Sequence, residues 1–563
     1  MLPYQFYADD GQYYEIAKSF LENNFFSYHT GLNVRTYLYP YLLSFIFEEK
    51  ISRFLTNLAL IQWVIFVASA WLFCRFVFVS DKLKRYCFAI LICNPLLLVY
   101  ACHALTDLLY TSFILVSLGF LFKSIYLFQS LLDFYPENKM TGQQNIKLLV
   151  CCGLGALFTG GCIAIRPAGI FMIPVIFIAN IYLMWGLYKK AKNIVLPIVL
   201  ALVCLLFFIL PLLPQLILNK LFFDKLTFLP AVGLGSQQLI WGLQYLKFGP
   251  IVLSGIELEV ARYFNPYFVL VDNNFSPINW YLSHPLLTIK IFFIKFVGAF
   301  HYDYFFPYIN RLDQFSHPVS STISVLILIF GVFGVLTKRH KLEIKLIALP
   351  FLLAWCVVTL PSAIEQRFSL PIIAFLSTFS VIGFIYYFNL TRNSLTIKCI
   401  SGGILFLYFL FMSVGHFVYY QMSNFKINKP VVEPISITSE MQNLSDRSYQ
   451  YDLDLCELDA LQESYLMRGW LVENDQIKNP ELMPKITVII KKNDQYFSIK
   501  TDKIYRPETT SHLNKLFKND VNYDFSSFAA AFSKKIEVGH FEVYLLVKNV
   551  NNEAYLIATQ CSF

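Results

Sequence analysis

The sequence predicts a polytopic α-helical transmembrane bundle of about ten spans, followed by a C-terminal β-sandwich-like domain, and three observations carry that prediction. The 563 residues are 56% hydrophobic and 17% aromatic but only 15% charged, whereas an ordinary globular domain carries about 25% charged residues. The apolar residues fall in runs such as Phe54–Val79 and Ile194–Leu218, long enough to cross roughly 30 Å of hydrocarbon as helices. From about Asn424 those runs give way to short β-rich stretches.

In chain order, Met1–Asn24 is polar and aromatic, without the basic start and apolar stretch of a cleavable signal peptide. Tyr37–Phe47 is apolar but too short to span, which suits an interfacial or re-entrant segment. Ten spans follow: Phe54–Val79, Tyr86–Cys102, Leu105–Phe128, Leu148–Ile165, Ala168–Tyr188, Ile194–Leu218, Pro318–Leu336, Ile344–Pro361, Ser369–Asn389 and Thr396–Tyr420.

Orientation is read from the lysines and arginines of the short loops. Lys82, Lys84 and Arg85, then Lys139 and Lys147, then Lys189, Lys190 and Lys192 occupy alternate loops. Lys338, Arg339 and Lys341, and finally Arg392 and Lys398, continue the set. With ten spans all fall on one side, read as cytoplasmic. The other side receives the N-terminal segment, the Cys102–Leu105 turn, the Asn219–His317 loop, the Ser362–Phe368 turn and the C-terminal domain. Within the long loop, Pro285–Phe300 is apolar but interrupted by Lys290 and Lys295, as in a helix lying in the interface.

Three parts result. Residues 1–53 form an external segment, residues 54–423 a transmembrane core that includes the 219–317 loop, and residues 424–563 a β-rich extracytoplasmic domain. The whole is expected as a multi-pass protein of the cell membrane. In the last part Tyr465–Val472, Lys485–Lys492, Gln495–Lys500, Phe541–Lys548 and Ala554–Gln560 read as strands, with Asn493–Asp494 a hairpin signal. Ten of the twelve cysteines lie in or beside apolar runs and read as small packing residues. Cys456 and Cys561 bracket the C-terminal domain and are the candidate disulfide pair if it faces an oxidising compartment.

Net charge is +8, but residues 425–563 hold 16 Lys or Arg against 19 Asp or Glu. The excess positive charge is therefore spread through membrane loops, which excludes the concentrated basic face a nucleic-acid partner needs. No Walker loop, GxGxxG, HExxH or metal-ligand spacing occurs. No cofactor and no metal site are expected. GLGALFTGG at residues 153–161 lies inside an apolar run, where close helix packing accounts for the glycines.

The residues that could carry chemistry are acids and arginines. Asp9 and Asp10 precede a segment with helical spacing at Tyr13, Ile16, Ala17 and Phe20. Carboxylates at a helix start are ordinary caps, but at the rim of a membrane bundle they could also deprotonate an incoming hydroxyl. Asp107 in HALTDLLYTSF lies in the first turn of a span, where an acid is costly and points to function. Capping by Thr106 or Asp107 is its plain alternative, and His103 reads as a polar interface residue. Arg35 in NVRTYLYP, Arg166 in AIRPAG and Arg367 in EQRFSLP are candidates for gripping phosphate with a permanently charged fork. Their plain alternatives are snorkelling to headgroups, or pairing with Glu365. His301 and Asp303 in FHYDYFFPY sit where an interfacial belt or a sugar-stacking surface fits, and Trp470 and Tyr505 in the last domain where sugar stacking or core packing does.

In this combination the chain resembles the GT-C superfamily of membrane glycosyltransferases, most closely the branch of protein O-mannosyltransferases and the lipid A aminoarabinose transferase. DDGQYYEIA at residues 9–17 is similar to that branch's acid pair followed by a Tyr and an Ile-Ala step. NVRTYLYP, NPLLLVYACHALTDLLYTSF, AIRPAG and QRFSLP resemble its later elements in the same order, over roughly residues 5–390. The resemblance implies a GT-C-like fold and an inverting transfer from a polyprenyl-phosphate-linked sugar to a glycan, lipid or protein acceptor on the outer face. Asp9 then stands at the catalytic-base position, Asp10 at the companion acid and Asp107 at the second external acid, with Arg35, Arg166 and Arg367 on the donor phosphate. It also implies a spanning helix ahead of the acid pair, where this sequence has eight residues. Two other readings remain open from the residues alone: a transporter or flippase of lipid-linked sugars, and a non-catalytic envelope polysaccharide assembly protein.

Overall fold

The computed structural model describes residues 9–29, 31–134, 142–191, 194–232, 234–254, 257–265, 267–268, 276–302, 308–309, 318–337, 342–389, 394–422, 433–436, 449–459, 464–473, 485–492, 495–499, 501–504, 527–533, 541–548 and 554–562. It divides into two compact units: Met1–Leu253 with Leu258–Tyr267 and Pro277–Gln421, and a second made chiefly of Met422–Phe563.

The first unit is helical. It opens with α1 (Asp9–Glu22), α2 (Leu38–Ser44), α3 (Ile51–Val77), α4 (Asp81–Ile92) and α5 (Pro95–Leu98), and continues with α6 (Asp107–Phe134), α7 (Gly142–Ile165), α8 (Met172–Ala191), α9 (Val195–Ile209), α10 (Leu213–Phe223) and α11 (Leu234–Gln244). Strands β1 (Tyr245–Ser254) and β2 (Glu257–Phe264) follow, then α12 (Pro277–Ser283), α13 (Pro285–Phe300), β3 (Tyr308–Ile309), α14 (Pro318–Leu336), α15 (Leu342–Thr359), α16 (Leu370–Asn389) and α17 (Ser394–Met422).

Among the described residues seven helical stretches are long and apolar enough to cross a membrane. They coincide with seven of the ten expected spans. The expected Tyr86–Cys102 span is broken: α4 and the Pro95–Cys102 stretch meet at 49°. Asn94 starts the new helix by accepting from Leu96 N, with Pro95 at its first position. Ile344–Thr359 and Ser401–Gly415 are shorter apolar helices. The expected interfacial helix Pro285–Phe300 is α13. Helices α12 and α13 bend against each other by 110°, and Lys295 is fully buried in the protein.

Packing explains the glycines. A Cβ on Gly160 in α7 would lie 2.1 Å from Phe208 O of α9, so only glycine lets these backbones approach so closely. The same holds where α14 crosses α16, since a Cβ on Gly383 would lie 2.1 Å from Phe330 O. As its spacing predicted, α1 buries Tyr13, Ile16, Ala17 and Phe20. Ile16 and Phe20 share a cluster with Ile163 and Ala164 at the end of α7, and Thr36 Oγ1 donates to Ile165 O at 2.7 Å. The N-terminal segment is thereby docked beside Arg166.

The second unit contains two antiparallel sheets. The strands are β4 (Glu433–Ile435), β5 (Tyr449–Asp459), β6 (Ser464–Glu473), β7 (Lys485–Lys492), β8 (Gln495–Ile499), β9 (Thr501–Ile504), β10 (Ser527–Ser533), β11 (Glu542–Lys548) and β12 (Ala554–Ser562). Their orders are β5-β6-β10-β9 and β12-β11-β7-β8-β4. Alternate residues from both sheets, among them Met467, Leu471 and Phe528 on one and Val488, Ile490, Val543 and Leu545 on the other, share one core. Cys456 of β5 and Cys561 of β12 are disulfide-bonded across it, with Cα atoms 6.2 Å apart. Trp470 is buried, so it packs rather than presenting a stacking surface. Lys492 pairs with Gln495 at the β7–β8 turn. Asn493–Asp494 themselves, with Asp303, Tyr505, Lys139, Lys192, Lys338, Arg339, Lys341 and Arg392, lie outside the described residues.

Candidate active site

Asp107 is the first residue of α6 and only 1% exposed. Arg166, immediately past the end of α7, donates from Nη1 to its Oδ1. Arg367 approaches the other side, its Nη1 3.9 Å from Asp107 Oδ2. That arginine leaves a short 3-10 turn, Gln366–Ser369, at the entrance to α16. Its Nε also donates to Glu365, so the expected Glu365 pairing holds and Asp107 is a second partner. Three different chain segments thus bring two guanidiniums to one buried carboxylate.

Phe368 organises the pair. Its ring centroid lies 4.5 Å from the Arg166 guanidinium carbon and 5.9 Å from that of Arg367, so one aromatic ring attracts both cations. The sequence reading missed Phe368. Its position next to a candidate arginine was the only available signal.

The acid pair enters from α1. Asp10 is fully buried, and its Oδ2 lies 3.8 Å from His103 Nδ1. Gln62 Nε2 fixes that turn by donating to Ala101 O at 3.2 Å and His103 O at 3.0 Å. His103 is buried and faces Asp10, four residues before Asp107. Asp9 begins α1, and its side chain lies outside the described residues. Arg35 is placed differently: its guanidinium donates to Gln12 Oε1 at 2.8 and 3.1 Å and covers the Tyr13 ring at 5.2 Å. These contacts tie it to the first turn of α1.

Behind Arg367, Tyr302 Oη donates to Gln366 O at 2.9 Å. Burial pushes the Tyr302 phenol up, and the Asp107 carboxylate pushes it the same way, so it remains a neutral donor. Tyr37, which anchors the N-terminal segment to Pro211 O, is held up to about 12, chiefly by burial. Among the described residues no group of three or more His, Cys, Asp or Glu side chains is assembled to hold a metal.

No family model and no curated protein matches the chain. Among solved structures, it is similar to the oligosaccharyltransferase AglB of the archaeon Archaeoglobus fulgidus. The match to AglB in complex with an inhibitory peptide and a dolichol-phosphate has 13% identity and a TM-score of 0.37, covering 74% of this chain and 51% of that one. The apo form gives 13% identity and 0.38 over 74% and 51%. The form tethered with an acceptor peptide containing the NVT sequon gives 14% and 0.36 over 73% and 50%. The chain thus spans about half the length of the structures it matches. A likeness of this extent assigns neither activity nor site residues.

Proposed function

We propose that the chain is an inverting glycosyltransferase that moves a sugar from a polyprenyl-phosphate-linked donor to an acceptor on the outer face of the cell membrane. The acceptor is a glycan, lipid or protein carrying a hydroxyl or amine. One observation carries this reading: Arg166 and Arg367 converge on Asp107 at one end of the bundle, with the acid-bearing α1 docked beside them through Asp10 and His103.

The geometry favours addition of a second anion outside the one already there. Asp107 is buried, whereas Arg166 and Arg367 retain side-chain exposures of 17% and 16%. A phosphate can therefore reach the outer N–H groups of both forks while the carboxylate balances their charge from within. In the transfer, the acceptor oxygen or nitrogen bonds to the anomeric carbon as its proton passes to Asp9, with Asp10 as companion acid. The bond from that carbon to the phosphate oxygen breaks, and the electron pair left on the phosphate is stabilised by the two guanidiniums.

The donor's apolar part also has a place. A groove of about 680 Å³ between α8 and α15 begins at Ile170 and Phe171, shortly after Arg166, and is lined by Leu349, Leu353 and Val357. Against a translocation path, which uses charged residues near the bilayer midplane, the charges here sit at helix ends. Asp107 starts α6, Arg166 follows α7 and Arg367 precedes α16.

The test is transfer in membranes from a labelled polyprenyl-phosphate sugar pool, with products identified by mass spectrometry. Wild-type protein is expected to form product, and Asp9→Asn to lose it by about 100-fold or more at normal expression. Unchanged product in Asp9→Asn, or none from wild type, rules the reading out.

A further inference from the structure

The segment between α10 and α14 does more than connect them. It reaches repeatedly into Leu360–Ser369, the stretch that carries Glu365 and Arg367. Lys295, fully buried in α13, donates from Nζ to Leu360 O at 3.0 Å and to Ser362 O at 2.9 Å. Tyr281 Oη donates to Pro361 O at 2.9 Å. Phe248 N donates to Ile364 O at 2.7 Å, and Gln238 O accepts from Ala363 N at 3.2 Å. Tyr302 Oη donates to Gln366 O and lies 2.9 Å from Ser369 Oγ.

Apart from the Tyr302–Ser369 contact, these bonds fall on backbone carbonyls and amides of the stretch, so they chiefly fix its path. Gln366 O is the carbonyl directly before Arg367, so Tyr302 sets where that guanidinium leaves the chain. Lys295 works at the end of α15, where unpaired helix carbonyls favour a cation. A lysine kept wholly out of water carries a large desolvation cost, and this one directs two of its three donors at the arginine-bearing stretch.

We propose that Lys295 and Tyr302 are positioning residues that act through the backbone of Leu360–Ser369 to hold Arg367 against Asp107. In its functional half this rests on the lipid-phosphate reading above.

The test uses the full chain in nanodiscs, with hydrogen–deuterium exchange across residues 360–369 and the dissociation constant for polyprenyl phosphate. Tyr302→Phe removes one oxygen and keeps the ring, so it remains informative even if Lys295→Met fails to fold. Exchange across 360–369 is expected to quicken about fivefold in Tyr302→Phe, as for loss of one hydrogen bond, and more in Lys295→Met. Affinity for polyprenyl phosphate falls by a similar factor. In an Arg367→Gln background, Tyr302→Phe has no further effect on affinity, because the residue it acts through is gone. Unchanged exchange in Tyr302→Phe, or an affinity loss that persists undiminished in Arg367→Gln, overturns the proposal. If wild type does not bind polyprenyl phosphate, the lipid-phosphate reading fails, and exchange alone decides whether the clamp exists.

Discussion

Asp107 and Arg166 stand 59 residues apart in sequence and form one ion pair where α6 begins and α7 ends. Neither helix could bury its charge there alone. An uncompensated carboxylate at that depth is strongly unfavourable, so the pair fixes how the two helices end relative to each other.

Asp107→Asn therefore leaves two guanidiniums close together with Glu365 as the nearer remaining counter-charge. Stability should fall by about 3 kcal/mol, read as a lowered Tm in detergent. Added polyprenyl phosphate should raise the Tm of this variant by more than that of wild type, because a bound anion replaces the lost one. Equal shifts in both proteins would separate the arginines from phosphate.

Phe368→Leu removes the ring beneath both guanidiniums while retaining bulk. Losing about 1 kcal/mol of cation–π attraction should raise the donor KM roughly fivefold and leave the acceptor KM unchanged, with Phe368→Tyr close to wild type. Kinetics at varied donor concentration measure this. A rise in acceptor KM alone would place Phe368 elsewhere in the reaction.

The sequence made much of this site legible, but not its connections. Asp107, Arg166 and Arg367 stand out because charged residues at the ends of apolar runs are costly, which is visible without a structure. That they meet is decided by how α6, α7 and α16 pack, and hydropathy carries no record of it. Arg35 looked equivalent to the other arginines, yet its segment is pinned by Thr36 and Tyr37 so that its fork falls on Gln12. The burial of Lys295 and His103 was not legible, because neither the α12–α13 bend nor the docking of α1 leaves a periodic signal. The break after Asn94 was readable, since Asn followed by Pro is a helix-start signal, but the apolar average of Tyr86–Cys102 hid it. In the second unit the strands rich in Val, Ile and Tyr were visible. Acid-laden β5 and alanine-rich β10 were not, because their strand character comes from pairing with β6.

The N-terminal segment should be acid-sensitive through His29. That imidazole is buried, accepts from Ser19 Oγ at Nδ1 over 2.9 Å and faces Phe25 O with Nε2 at 3.2 Å. Burial lowers its pKa below the ordinary 6.5. The unfolded segment then binds the proton more readily, so stability is full above about pH 6.5 and declines as pH falls toward the lowered value. The protection of backbone amides across residues 16–37, taken as exchange relative to the intrinsic rate at each pH, should fall between about pH 7 and 5, and His29→Gln should flatten that dependence.

The Cys456–Cys561 bond closes a long loop, with a sequence separation of 105. In the chain-entropy view such a closure contributes about 4.7 kcal/mol. Cys456→Ser should lower the Tm of the second unit markedly while the helical unit's melting stays unchanged. Non-reducing peptide mapping of protein from native membranes should recover the linked pair. Two free thiols there would mean that the domain faces a reducing compartment.

Sidedness is the claim on which the rest stands, and cysteine accessibility measures it directly. Glu15→Cys places a thiol on the exposed face of α1, and Lys82→Cys places one on the exposed start of α4. In intact cells, with the labelling of the parent chain subtracted, a membrane-impermeant maleimide should react with Glu15→Cys at once and with Lys82→Cys only after permeabilisation. The reverse pattern would put α1 and its acids in the cytosol and contradict a transferase working at the outer face.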